Sequence, residues 1–379
     1  MKVVFVIPYV SQRAGGLFTS VRLLAQKLSI NHEVEVFALE DDRGKSDFPE
    51  WQPIVPHLFK ISPKIFGYGF SFPLLRALKN IQPDVIHVHG IRMWPATAAR
   101  VVAGKKKISL VISPRGQLNE WAMGQNRFKK KMMHFLFEDT NIRSTAFIHA
   151  ISEDEKQHIR NLGVTNPIEV IPNGVSCTDF DTFDPASVFS KWPVLKRKKI
   201  LLFLSNINPR KGLELLATVW KSLRTKHLDW ILAIAGTGEA HYCEKMKRLY
   251  DNGVNSNSAI FLGDVRGLEK TTLYRLCELF IFPSHDDGFG NVVAEAMAAR
   301  KPVIATKGTP WSCLVDTKSG WWVDVDAQAI RQTLDVAMRL TDAERKEMGK
   351  RGREYVEKHL SWDVLAEDLV RMYEKYKYV

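Results

Sequence analysis

Short apolar runs of about five residues, rich in Val and Ile and closed by Gly, Pro or Asn, alternate with longer stretches of helical period along most of the chain. Runs without polar alternation belong to strands buried on both faces, which predicts parallel sheets covered by helices. The first set of strands is read at KVVFVIPY, EVEVFAL, DVIHVHG, SLVISPRG and AFIHAIS, with a helix from about Thr19 to Ser29 and Ser152 as an N-cap three residues before Glu155. The second set is KILLFLS, WILAIAG, AIFLGDV, LFIFPS and KPVIAT. Between the sets lies a stretch poor in periodicity and dense in Pro, Asn, Gly and Asp. It divides the chain into a first domain, 1–175, a connector, 176–193, and a second domain, 194–361. Beyond SGWWVDVD the pattern is helical, with a cap at Thr341 and a final amphipathic segment, 362–379. Open parallel sheets bind ligands beyond the carboxyl ends of their strands, so two such domains facing each other are expected to form a deep cleft.

Composition narrows the class. With 379 residues, 45% hydrophobic and 25% charged, the chain is an ordinary globular one of more than one domain. Cys177, Cys243, Cys277 and Cys313 stand far apart without a C-x-x-C pair, so reduced thiols in a cytoplasmic chain are expected. VVFVIPYV is read as a first strand, and no apolar run of about 18 residues is present to span a membrane. The net charge of +12 is concentrated: residues 92–131 hold ten basic side chains against Glu120 alone. Such a patch calls for an acidic partner, whether membrane lipid, a phosphorylated substrate or nucleic acid.

The densest chemistry follows the strand LFIFPS, in HDDGFGNVVAEAMAARKPVIAT. Here the loop Gly288–Phe289–Gly290 opens onto a helix predicted to start near Asn291. Backbone can approach a ligand closely at the glycines, and the helix start favours an anion, most naturally a diphosphate. Glu295 lies one turn beyond Asn291 on the same face, where its carboxylate can reach a ribose; Asp287 is placed to hydrogen-bond a sugar. The plain alternative makes Asp287 a turn residue and Glu295 a solvated helix glutamate.

Asp287 and Glu295 stand in an acidic-x7-acidic spacing within GFGN, EAMA and PVIAT, and RAGGLFTSVRLLAQKL, QPDVIHVHG, IPNGV and INPRKGLELL precede them in order. In these motifs the chain resembles the retaining glycosyltransferases of family 4. The resemblance implies the GT-B fold, two facing Rossmann-like doubly wound domains with the C-terminal helix crossing back to the first. It also implies that Gly15 and Gly16 bring backbone against the donor diphosphate, and that Lys211 clamps it. The first member of the family's basic pair is Asn206 here, which cannot neutralise phosphate; Arg210 either substitutes or is a plain exposed arginine. Where many members carry a histidine, VISPRGQL has Arg115, permanently cationic and suited to a phosphate on the acceptor or to the leaving diphosphate. His87 and His89 point the same way off their strand; His89, nearer the carboxyl end, is the acceptor-side candidate, and His87 is equally consistent with a core role.

Other signals are weaker. The Asp-x-Asp at 324–326 is read as an N-cap by Asp326, so no metal or other cofactor is expected. In GTG at 236–238 the third glycine of a dinucleotide fingerprint is replaced by His241, and Gly236 is read as a tight turn admitting the donor nucleotide. The expected enzyme moves a sugar from a nucleotide-diphosphate sugar to a glycan or lipid-linked acceptor in bacterial surface polysaccharide synthesis. It is expected to be cytoplasmic and peripheral at the inner face of the membrane. There the segment NRFKKKMMHFLFEDT, with Phe128, Met132, Phe135 and Leu136 beside Lys129, Lys130 and Lys131, and the aromatic FGYGFSF at 66–72 would meet anionic lipid. Nucleic acid is disfavoured as a partner, because aromatics are not interleaved with the basic residues in an RNA-binding pattern. A sugar-nucleotide epimerase of the same fold is the alternative enzyme.

Overall fold

The structure, a computed structural model, describes residues 1–61, 68–118, 138–251 and 258–377. It comprises two compact units, Met1–Gly174 with Trp362–Val379, and Val175–Ser361.

The first unit is built on seven parallel strands: β1 Lys2–Ile7, β2 Glu33–Leu39, β3 His57–Phe59, β4 Val85–His89, β5 Ser109–Ser113, β6 Phe147–Ala150 and β7 Ile168–Val170. Their spatial order is β3-β2-β1-β4-β5-β6-β7. In β1, Val3 through Ile7 are all fully buried, as a central strand covered on both faces requires. One face packs on helices Phe72–Asn80 and Trp94–Lys106 through Leu74, Leu78 and Val102. The other packs on helix Gly16–Leu28 and on the C-terminal helix Trp362–Lys375, which contributes Leu365, Leu369 and Tyr373. That last helix therefore belongs to the core of the first unit although it closes the chain.

The second unit has six parallel strands: β8 Lys199–Leu204, β9 Trp230–Ala235, β10 Ala259–Gly263, β11 Leu279–Phe282, β12 Val303–Thr306 and β13 Gly320–Val323. They are ordered β10-β9-β8-β11-β12-β13. In both sheets the order reverses beside the first strand of the unit, the doubly wound arrangement expected from the hydrophobic pattern.

Two expectations need correction. The helix predicted from Thr19 starts at Gly16, because Gly15 turns the chain at φ 59° and releases it directly into the helix. The connector 176–193 is built into the second unit: it carries a 3-10 turn, Cys177–Phe180, and helix Pro185–Lys191, capped by Asp184 and packed on helix Gly267–Leu276. Its short elements have no readable period, yet Phe180 and Val188 are buried.

Candidate active site

In the second unit, chemistry gathers where β8 and β11 end. After β8 a 3-10 turn, Pro209–Lys211, is capped by Asn208, whose side chain accepts from Arg210 N. Gly212 then enters helix Leu213–Leu223 at φ 72°. The loop after β11 lies directly against this turn: His285 N donates to Arg210 O at 2.7 Å, and Ser284 Oγ lies 3.0 Å from the same oxygen. A Cβ on Gly212 would stand 1.9 Å from Pro283 O, so only glycine fits. This contact brings Lys211 Nζ onto Asp287 Oδ2 as an ion pair, with the ammonium 5.3 Å from the Phe282 ring centroid. The Lys211 side chain is 7% exposed and that of Asp287 21%. The adjacent Lys211 cation and the amide bonds hold the Asp287 carboxyl below the usual carboxylate range, against the opposing effect of burial. Arg210 faces Asp286 at 3.8 Å.

The helix predicted near Asn291 runs Asn291–Ala298, with Gly290 as a left-handed N-cap at φ 76°. Two amides of the loop ahead of it are taken: Asp287 Oδ1 accepts from Phe289 N at 3.1 Å and from Gly290 N at 2.8 Å. Asp287 thus closes the turn Gly288–Gly290, as the plain alternative had it, and with its other oxygen also holds Lys211. Phe289 points inward, 7% exposed, its ring 5.1 Å from that of Trp311, so within this loop it serves packing. Glu295, expected to be a ribose ligand or a solvated residue, meets Lys270 Nζ at 2.6 Å and Tyr274 OH at 2.8 Å. Lys270 and Tyr274 stand one turn apart on helix Gly267–Leu276; that spacing was present in the sequence, but nothing in it named Glu295 as their partner. Asn206 is exposed. Gly236 is needed for backbone approach: a Cβ there would lie 1.9 Å from Ser205 O, and the neighbouring Gly238 bridges to Ile207. Asp326 caps helix Ala327–Arg339 through Ala329 N, and Asp324 pairs with Lys307.

In the first unit, Gly15 precedes and Gly16 begins the helix that follows β1, at the carboxyl end of the sheet. Arg115 stands just after β5 in left-handed backbone, φ 57°, followed by Gly116 at φ 76°. Its guanidinium donates to Asn173 Oδ1 and lies with Nη2 3.0 Å from His89 Nδ1. Burial pushes its pKa down to about 10, which leaves it charged at neutral pH. The expected acceptor-side pair, His89 and Arg115, is therefore brought together, with Asn173 of IPNGV as a third member that single-residue reasoning missed.

Behind them lies a buried hydrogen-bond chain. His149 Nε2 is 2.7 Å from Ile171 O, which can only accept, so Nε2 carries the proton. His149 Nδ1 is then the acceptor for His87 Nε2 at 3.4 Å, and His87 Nδ1 accepts from Tyr373 OH at 2.6 Å. The open question over His87 is answered: it is fully buried and tied to the C-terminal helix. Of the basic and aromatic surface, Tyr68, Phe70, Phe72, Arg92, Arg100, Lys105, Lys106 and Lys107 are described. Phe70 lies 4.0 Å from Trp94 between ring centroids, and Phe72 is 61% exposed. The segments 62–67 and 119–137, including Phe128, Lys129, Lys130, Lys131, Met132, Phe135 and Leu136, lie outside the described residues. Among the described residues no helix is long and apolar enough to cross a membrane.

Residues 14–179 match the family described as Glycosyltransferase Family 4, and residues 187–355 that described as Glycosyl transferases group 1. The chain is 33% identical over 223 residues to the GDP-mannose-dependent alpha-(1-6)-phosphatidylinositol monomannoside mannosyltransferase of Mycobacterium tuberculosis. That match covers 55% of this chain and 56% of the relative, so it spans little more than half the relative's length. The capsular polysaccharide biosynthesis glycosyltransferase CapM of Staphylococcus aureus is 26% identical over 65% of this chain and 66% of its own. An uncharacterized glycosyltransferase of Methanocaldococcus jannaschii is 27% identical over 97% of this chain and 96% of its own. Among solved structures, HepE of Anabaena in complex with UDP superposes with a TM-score of 0.78 at 16% identity, covering 99% of this chain and 100% of that one. Sucrose-phosphate synthase of Thermosynechococcus elongatus does so at 0.76 and 18% identity, with 99% of each chain covered. With a family 4 region over most of its first unit, a group 1 region over most of its second and a Rossmann-like parallel sheet in each, the chain belongs to the GT-B glycosyltransferases of the family 4 type.

Proposed function

We propose that the protein transfers a sugar, with retention of anomeric configuration and without a metal, from a nucleotide-diphosphate sugar to a hydroxyl of a glycan or lipid-linked acceptor in surface polysaccharide synthesis. The observation that carries this reading is the Lys211 ammonium, buried and aligned by Asp287 where β8 and β11 end. A nucleotide sugar is the donor class of the relatives: the mycobacterial enzyme is GDP-mannose-dependent, and HepE has been crystallised with UDP-glucose. Relatives named for capsule and lipopolysaccharide synthesis support the pathway.

In this reading the second unit holds the donor. As the glycosidic C–O bond breaks, its electron pair passes to the departing phosphate oxygen, and Lys211 stabilises that charge in a low-dielectric setting. The acceptor hydroxyl attacks the same face and yields its proton to that phosphate oxygen, so no protein base is required. Asp287 keeps the ammonium in place and closes the loop 288–290; Arg210, beside Asp286, is the further cation of the turn. In the first unit Arg115, fixed by His89 and Asn173, recognises negative charge on the acceptor or on the leaving diphosphate.

A thermal-shift panel of UDP-, GDP- and ADP-sugars selects the donor, since a ligand at 100 times its dissociation constant adds about 2.7 kcal/mol. With that donor, Lys211→Ala is expected to lower turnover at least ~100-fold, in line with losing one preorganised donor to a developing oxyanion. A near-normal rate would remove the basis of the mechanism. Peripheral membrane association, which the basic excess of 92–131 motivates, is checked by liposome sedimentation: binding to anionic vesicles should exceed binding to neutral ones at low salt and fall as salt rises.

A further inference from the structure

Glu155 is 4% exposed, and its carboxylate is shared between two backbone donors, one local and one distant in sequence. Oε2 accepts from Ile151 N at 2.8 Å, at the end of β6, and Oε1 accepts from Gly116 N at 2.5 Å, in the loop after β5. Helix capping explains only part of this. Glu155 is the third residue of helix Glu153–Asn161, where a glutamate ordinarily reaches back to the backbone of the N-cap residue. The N-cap, Ser152, makes its own half of that motif by accepting from Glu155 N at 3.1 Å. The Glu155 carboxylate instead crosses to a loop 39 residues earlier in the chain.

The amide it captures is that of Gly116, and the residue whose conformation it thereby fixes is Arg115. Arg115 and Gly116 are consecutive left-handed residues, φ 57° and 76°, and for an arginine that backbone costs on the order of 1 kcal/mol. A turn of this kind persists only where its surroundings over-determine it. Here three ties do so: the guanidinium to Asn173, the guanidinium to His89, and the next amide to Glu155. Glu155 and Tyr373 also lie near the guanidinium, along with the neutral imidazoles of His87, His89 and His149, and burial raises the Glu155 carboxyl above its usual range.

We propose that Glu155 is a positioning residue for the transfer reaction: by holding the Gly116 amide it locks the 114–118 loop and fixes the Arg115 guanidinium on His89 and Asn173. The proposal rests on the reading of Arg115 given above, and its test separates the two. In the full-length protein, Glu155→Gln keeps the size of the side chain and one carbonyl oxygen, but sets an NH2 group against one of the two amides. Labelling with phenylglyoxal, followed by mass spectrometry of tryptic peptides, should show Arg115 modified at least ~10-fold faster in E155Q than in the wild type. Arg143 and Arg224, distant in sequence from the loop, serve as internal references and should not change. Unaltered Arg115 reactivity in folded E155Q overturns the proposal.

Hydrolysis of UDP-glucose and GDP-mannose supplies the second arm, as a cycle of wild type, E155Q, R115A and the double variant. E155Q should slow hydrolysis several-fold in the wild-type background and by less than about two-fold in R115A. The same factor in both backgrounds identifies a general structural role and overturns the proposal. Wild-type hydrolysis by R115A, with Arg115 labelling still accelerated in E155Q, instead overturns a role for Arg115 on the leaving diphosphate while leaving the loop lock supported.

Discussion

Gly212 tests the candidate site without removing any of its chemistry. Giving it a Cβ in Gly212→Ala introduces two costs. Its φ of 72° is unfavourable for an L-residue by roughly 1–2 kcal/mol. The new Cβ would also stand 1.9 Å from Pro283 O, whereas real Cβ atoms essentially never come within 3.0 Å of another heavy atom, so the gap must widen by at least 3.0 − 1.9, about 1.1 Å. Both sides of that gap carry the site: Arg210 and Lys211 immediately precede Gly212, and Asp286 and Asp287 follow Pro283 by three and four residues. Backbone oxygen cannot swing aside as a side-chain end can. The displacement therefore passes into the Lys211–Asp287 pair and the hydrogen bond from His285 N to Arg210 O. A misplacement of about 1 Å in a catalytic group can cost ~100-fold in rate. Gly263→Ala is the control, because Gly263 has φ 76° but nothing within 4 Å of an added Cβ. Both variants should lose about 1–2 kcal/mol in urea unfolding through the backbone, and only Gly212→Ala should lose more than that, together with ~100-fold in donor hydrolysis. Equal stability and equal activity in the two variants would refute the reasoning, since the close approach to Pro283 would then have no consequence.

The buried imidazoles make stability depend on pH. His149 is pushed down to about 3, chiefly by burial, and His87 well below its ordinary value for the same reason, so the unfolded chain binds protons near pH 6.5 that the folded one refuses. Their stabilisation is complete above about pH 6.5 and is lost as pH falls below it, by ~1.4 kcal/mol per pH unit for each group. Urea unfolding between pH 7 and 5 should show a slope one proton smaller in His149→Asn than in the wild type, a difference unaffected by Glu138, whose carboxyl burial raises to about 7 and which works in the opposite direction in this window; an unchanged slope would count against the neutral chain. Leu369→Ala, at a fully buried position of the C-terminal helix, should cost about 2–5 kcal/mol in the same assay. A loss under ~1 kcal/mol would mean that the helix is not integral to the first unit's core.

Much of this protein is legible in its sequence because the relevant information is local. Runs such as VVFVI and LLFL have no polar face, so they specify central parallel strands wherever they fall, and a glycine-bracketed loop ahead of Asn291 fixes the start of its helix. The three strands not read were β3, β7 and β13, at sheet edges and only three or four residues long, too short for a period to show. Tertiary structure decided the distant partners of the charged side chains at the candidate sites. Asp287 met Lys211, 76 residues away; Glu295 went to Lys270 and Tyr274; Glu155 reached with one oxygen beyond its own cap to Gly116. Spacing on a helix or strand sets the direction in which a side chain points, but a buried charge settles on whichever opposite charge or amide the fold brings within about 3 Å, and that partner is supplied by another element of the chain.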